Sequence, residues 1–155
     1  MSGAAILYLA LKKLGANVCV RLPDRIFEGY GISMYAIQEE IALGAKLFVT
    51  IDNGVKANKE IDEIRKRGCM SVVLDHHQPG DVLPNADALI DLWVEGETYP
   101  FRELTGSGLA WKIACYLLTQ IDEYDYGMSL VDLAAIGTVA DVAPLIGENR
   151  SIVKR

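Results

Sequence analysis

Apolar and polar positions along this chain switch between a helical and a strand period. Over residues 2–14, apolar side chains at Ile6, Leu7, Leu9, Ala10 and Leu14 recur at helical spacing, with Ser2 able to cap the start and Gly15 the end. Residues 16–22 form a β-branched run and predict a strand. A loop rich in turn formers fills residues 23–33, and Ser33 then caps a helix to about residue 43, ended by Gly44. Residues 46–51 predict a second strand, which runs into Asp52-Asn53-Gly54. An amphipathic helix over 56–67 turns Ile61 and Ile64 inward and stops at Gly68. A third strand, 70–74, ends abruptly in Asp75-His76-His77.

The second half of the chain reads differently. Residues 78–86 are a Pro/Gly loop, 88–92 a short strand and 93–104 irregular. Thr105-Gly106-Ser107-Gly108 opens a long apolar helix to about residue 121, and 122–127 reads as a polar linker. A further helix over 129–136 precedes Gly137-Thr138-Val139-Ala140-Asp141, and the polar tail from 148 starts either a linker or another helix. The alternation of strands and helices predicts an α/β domain, with a mostly parallel sheet and helices on both faces.

Composition narrows the class. With 155 residues, 51% of them hydrophobic and 23% charged, the chain can bury the core of one ordinary soluble domain. Its formal net charge of −6 excludes a generally basic nucleic-acid binder, although carboxylates that hold metal are partly neutralised by it. Three cysteines, Cys19, Cys69 and Cys115, stand far apart with no CxxC pair, so neither a zinc knuckle nor a disulfide framework is implied, and a reducing cytoplasm is the expected home. No signal-peptide pattern or membrane-length apolar run is present in the sequence, and no membrane partner is expected.

The candidate chemistry sits where apolar runs end. In an open parallel sheet, the loops at the carboxyl ends of the strands form the ligand crevice. Asp52, the Asp75-His76-His77 triplet and Asp141 all follow apolar segments, and His76 and His77 are the only 2 histidines in the chain. Carboxylate with imidazole and no thiolate suits Mn²⁺ or Mg²⁺, and a pair of such ions clamps the oxygens of a phosphoryl displacement. Asp75 can instead orient an imidazole from behind. Taken singly, Asp52 is equally a turn former before Asn-Gly, and Asp141 a helix cap. Gly106, Ser107 and Gly108 can present backbone N–H groups to a phosphate or simply allow close helix packing. Arg25 and Tyr30 can grip phosphate and stack on a base, or be a solvated arginine and a half-buried tyrosine.

Together these segments resemble the DHH phosphoesterase superfamily and, within it, the RecJ single-strand exonucleases. Asp75-His76-His77 matches the name-giving motif, Val49-Thr50-Ile51-Asp52-Asn53-Gly54 resembles the second motif, and Gly137-Thr138-Val139-Ala140-Asp141 the fourth. Pro23-Asp24-Arg25 with Gly29-Tyr30-Gly31, Tyr99-Pro100-Phe101, and the run from Gly106 to Lys112 point to the RecJ branch. The resemblance implies that Asp52 bridges two metal ions, that His76 and Asp141 are ligands, and that His77 faces the ions and the scissile phosphate. Asp75 would support the histidines as part of the catalytic set. Arg25, Tyr30, Gly106, Ser107 and Gly108 would touch single-stranded DNA, degraded from its 5′ end in repair and recombination.

The superfamily's first motif, Asp-x-Asp-Gly at the end of a first strand, precedes the first helix, whereas this sequence begins at that helix. The resemblance thus implies a catalytic-domain fragment over residues 1–155, without its first strand, two of its carboxylates or the C-terminal substrate-binding domain. Two expectations follow: weak or absent turnover by this chain, and self-association through an uncovered N-terminal edge. The other readings are a catalytically silent phosphate- or nucleic-acid-binding module, and a phosphodiesterase of small substrates such as oligoribonucleotides, cyclic dinucleotides or pyrophosphate.

Overall fold

Ten helices and strands follow one another among the described residues of the computed structural model, which are all but Arg25, Phe27, Glu28 and Tyr30. The sequence readings of Arg25 and Tyr30 lie outside the described residues. The chain divides into two units, one made of residues 21–98 and the other of residues 1–20 with 99–155.

The first of these is α/β. Helix α2 (Met34–Ala42) starts where Ser33 Oγ accepts the Ala36 N–H at 3.3 Å. Strands β1 (Leu47–Ile51), β2 (Met70–Asp75) and β3 (Ala88–Asp91) form one sheet in that order, all parallel. Helix α3 (Asn58–Lys66) makes the crossover between β1 and β2. The crossover from β2 to β3 contains no helix. It is pinned at its far end, where Asp87 N–H donates to Ser71 O and the Asp87 carboxylate accepts the Ser71 N–H at 2.8 Å. One face of the sheet presents Val73, with Phe48 and Leu89 beside it, to Ile37 of α2 and to Ile61 and Ile64 of α3. Full burial of each such aliphatic side chain contributes about 1.5–3 kcal/mol. The register that carries Thr50, Val73 and Leu89 in one row therefore carries the residues two positions on, at the carboxyl ends of the strands, on that same face.

The second unit is helical: α1 (Ser2–Lys13), α4 (Gly106–Thr119), α5 (Tyr124–Ser129), α6 (Val131–Ala140) and α7 (Gly147–Lys154). Helix α4 packs on α1, α5 and α6, burying Ala110, Ala114 and Leu118 with Ile6 and Ala10. Where α1, α4 and α6 meet, the side chains are small. Ser2 and Ser107 share a hydrogen bond at 2.7 Å, and a Cβ at Gly137 would lie well inside 3.0 Å of both hydroxyl oxygens. Only glycine lets α6 approach this closely.

Three sequence expectations need correction. Residues 16–22 form no strand, since Val20 and Leu22 are exposed and no ladder partner pairs with them among the described residues. A lone β-branched run without a neighbour or a burial surface does not hold a strand. The expected linker at 122–127 is largely helix α5, held by Trp111 Nε1 donating to Gly127 O at 3.0 Å. Finally, Gly137 to Ala140 do not follow the preceding helix but form its last turn, with Asp141 as the C-terminal cap residue.

Candidate metal centre

The edge of the sheet brings the first cluster together. Beyond Ile51 the β1 backbone turns sharply: Asp52 has a φ of 63°, in the left-handed region that a non-glycine residue rarely occupies. Its N–H still donates to Leu74 O at 2.9 Å, so the turn begins from the ladder itself. Gly54, at φ 122°, completes it, and a Cβ there would meet Thr50 Oγ1 at 2.5 Å. The carboxylate of Asp52 is thereby brought to His76, with Oδ1 2.8 Å from Nε2.

Asp75, the last residue of β2, is 2% exposed and receives four contacts. Oδ2 accepts the Val55 N–H at 2.9 Å, while Oδ1 accepts the N–H groups of His76 at 2.8 Å and His77 at 3.3 Å. The fourth is His77 Nδ1, 2.7 Å from Oδ1. A carboxylate so placed fixes the proton on Nδ1 and leaves the Nε2 lone pair of His77 for a cation, an arrangement typical of metal-bound histidine. The His77 side chain is 57% exposed, as a ligand-facing group must be. The two imidazole rings lie 4.6 Å apart and are tilted by 52°.

One donor atom each from Asp52, His76 and His77 lies within 4.8 Å of the others. Burial pushes the Asp52 carboxyl up, but the His76 hydrogen bond and the charges of His76 and His77 outweigh it and hold the group below its ordinary range. The site therefore offers an anionic oxygen and two imidazole nitrogens. That donor set fits a divalent first-row cation.

The family model described as DHH family, N-terminal domain, matches residues 1–138. The chain belongs to the DHH family. This DHH domain is 39% identical over 152 residues to the single-stranded-DNA-specific exonuclease RecJ of Bacillus subtilis (strain 168), covering 98% of this chain and 19% of that protein. It is 36% identical over 160 residues to RecJ of Escherichia coli (strain K12), covering 96% of this chain and 28% of that protein. Among solved structures it is similar to exonuclease RecJ bound to manganese, at 35% identity and a TM-score of 0.87, covering 99% of this chain and 38% of the other. RecJ of Thermus thermophilus in complex with Mn²⁺ matches at 32% identity and a TM-score of 0.80, covering 99% of this chain and 21% of the other. The DHH chain thus spans well under half the length of the relatives it matches.

The remaining sequence candidates among the described residues, Asp141 and Gly106 to Gly108, fall in the helical unit. Asp141, exposed, closes α6 and is followed by Val142 at φ 56°, another non-glycine residue in the left-handed region. Gly106, Ser107 and Gly108 are buried in the first turn of α4, where Thr105 Oγ1 accepts the Gly108 N–H at 3.1 Å and the Ser107 hydroxyl meets Ser2. Their burial and the bond between Ser107 and Ser2 serve close helix packing. Asp91, at the end of β3, was not singled out in the sequence. It is paired in register with Asp75, is 1% exposed, and uses one oxygen to accept the Trp93 N–H at 2.8 Å. The signal available was positional: the third strand to end in aspartate.

Proposed function

We propose that this DHH domain carries the metal-binding face of a RecJ-like nuclease that hydrolyses single-stranded DNA from the 5′ end. Two divalent ions, Mn²⁺ or Mg²⁺, would serve the reaction. The observation that carries this reading is the convergence of Asp52, His76 and His77 at the sheet edge, with His77 oriented by the buried Asp75. The names of the relatives as single-stranded-DNA-specific exonucleases, and the manganese in the similar structures, support it.

In this reading Asp52, His76 and Asp141 would hold the ions, and His77 would serve beside them at the scissile phosphate. Bound ions of this kind supply an activated water and stabilise charge on the phosphoryl oxygens. The protein's own part is positioning. Asp75 sets the tautomer of His77, and the depressed Asp52 carboxyl stays anionic at neutral pH, ready for a cation. The backbone of Gly106, Ser107 and Gly108, with Arg25 and Tyr30, is assigned to the DNA strand. Among the described residues one carboxylate and two imidazoles converge, and even with Asp141 these are few donors for a pair of hard cations, so this chain is expected to bind metal but to turn over weakly or not at all. We place the protein in the cytoplasm, in DNA repair and recombination, and infer that it self-associates.

Calorimetric titration of Mn²⁺ into the chain and into His76→Ala tests the reading: saturable binding lost in the variant supports it, and equal binding overturns it. Adding 5′-labelled single-stranded DNA with competing oligoribonucleotide, cyclic dinucleotide or pyrophosphate separates the nuclease reading from a small-substrate phosphodiesterase. Vigorous degradation by the chain alone would refute weak turnover, and concentration-independent monomeric sedimentation would refute self-association.

A further inference from the structure

Three strands lie side by side, and each is closed by an aspartate: Asp52 just after β1, Asp75 ending β2 and Asp91 ending β3. Asp75 and Asp91 are register partners, so their side chains leave the sheet on the same face. Asp75 is fully engaged by its four N–H contacts. Asp91 is different. Only its Oδ1 is used, by Trp93, while Oδ2 is buried without a hydrogen-bond partner among the described residues.

A buried carboxylate oxygen with no donor, next to a second buried carboxylate, destabilises the fold. Burial and the charge of Asp75 drive the Asp91 carboxyl above its ordinary range, against the pull of the Trp93 N–H and the charges of His76 and His77. Nothing in the core gains from this charge. No N–H or O–H group of the described residues donates to Oδ2. The opposite charges that reach Asp91 are those of His76 and His77, two of the three donors in the cluster with Asp52.

We propose that Asp91 is a positioning residue of the metal centre, a second carboxylate beside Asp75 whose charge favours a divalent cation held by Asp52, His76 and His77. This rests on the metal-binding reading above. The charge acts from behind the ligands and never joins them. Two strand spacings separate Asp91 from Asp52, about 10 Å. At that distance a unit charge changes the affinity for a divalent ion about fourfold if water screens it fully, and a few hundredfold at an effective dielectric constant of about 20.

Asp91→Asn separates the electrostatic role from a structural one. Asparagine keeps the shape and the acceptor for the Trp93 N–H but removes the charge. The two effects have opposite signs. The metal-free variant should melt at or above the wild-type temperature, because a strained buried charge is gone, while its Mn²⁺ affinity should be at least about fourfold weaker. Asp91→Ser, also neutral and able to accept from Trp93, provides the same comparison should the asparagine variant fail to fold. Calorimetric Mn²⁺ titration of the full chain, with thermal melting in chelator, reads both quantities. Unchanged affinity in a wild type that does bind Mn²⁺ overturns the role of Asp91 alone, as does a metal-free variant that melts clearly below wild type. A wild type that does not bind Mn²⁺ overturns this proposal together with the metal-centre reading.

Discussion

Replacing Asp75 with asparagine changes one atom for another of nearly equal size, so its consequences come almost entirely from hydrogen bonding and charge. Four N–H groups converge on the carboxylate: Val55 on Oδ2, and His76 N, His77 N and His77 Nδ1 on Oδ1. Asparagine has one acceptor oxygen. Its better orientation turns that oxygen to the three-donor side and its NH₂ group against the Val55 N–H, a donor facing a donor at a residue only 1% exposed. An unsatisfied buried N–H costs about 1–3 kcal/mol, and three charge-assisted bonds weaken to neutral ones at about 1 kcal/mol each. Relief from burying a charge returns part of this, leaving a net loss of about 3 kcal/mol. For a chain of this size that lowers the melting temperature by about 6–12 °C. Neutralising the partner of Nδ1 also releases the tautomer of His77, and loss of such a partner typically weakens metal binding about 10–100-fold. Thermal melting and Mn²⁺ titration of Asp75→Asn read the two effects separately. A variant that melts within about 2 °C of wild type and keeps its Mn²⁺ affinity would refute the account of Asp75 as the anchor of both the fold edge and His77.

Other expectations are shorter. Gly137→Ala should destabilise by about 2 kcal/mol, because overpacking against Ser2 and Ser107 costs about 1–3 kcal/mol while the better helix propensity of alanine returns at most about 1, and chemical denaturation will show it. A Gly137→Ala protein as stable as wild type would mean that α6 is free to shift. In the helical unit, the Glu148 carboxylate accepts from Tyr99 Oη at 2.6 Å and from Lys112 Nζ. Burial raises the Glu148 carboxyl, but its bonds to Lys112 and Tyr99 outweigh this and hold it below its ordinary value of 4.5. A group depressed in the folded state stabilises above its unfolded value and loses that contribution as pH falls through the folded one. Glu148→Gln should therefore melt lower than wild type at neutral pH, by roughly 1 kcal/mol for these one-third-exposed partners, and the gap should close well below pH 4.5. A gap that persists unchanged into that range would show the Glu148 charge to be irrelevant.

Much of this was legible along the chain because local and tertiary preferences agree. The apolar runs of β1 and β2 and the inward Ile61 and Ile64 of α3 repeat at the periods their elements need, and the polar residues that follow the two strands form the candidate cluster. The segments that misled are those where the deciding contact is remote. Val18 and Val20 have strand chemistry but no partner strand among the described residues. The polar residues around Tyr124 become helical because the Trp111 indole, sixteen positions upstream of Gly127, bonds to that residue. Asp91 stayed invisible for the same reason. An aspartate after Ile90 looks like any strand-ending turn until the register sets it beside Asp75.

The left-handed backbone of Asp52 bears on how this domain would respond to engineering. Glycine adopts that conformation without strain and asparagine more readily than most residues. A library screened for thermal endurance alone should therefore drift toward glycine or asparagine at this position, and its winners would be hardier proteins that have lost an anionic oxygen from the cluster. Stability screens of this domain thus need a metal-binding counter-screen, because here the backbone and the chemistry favour different amino acids.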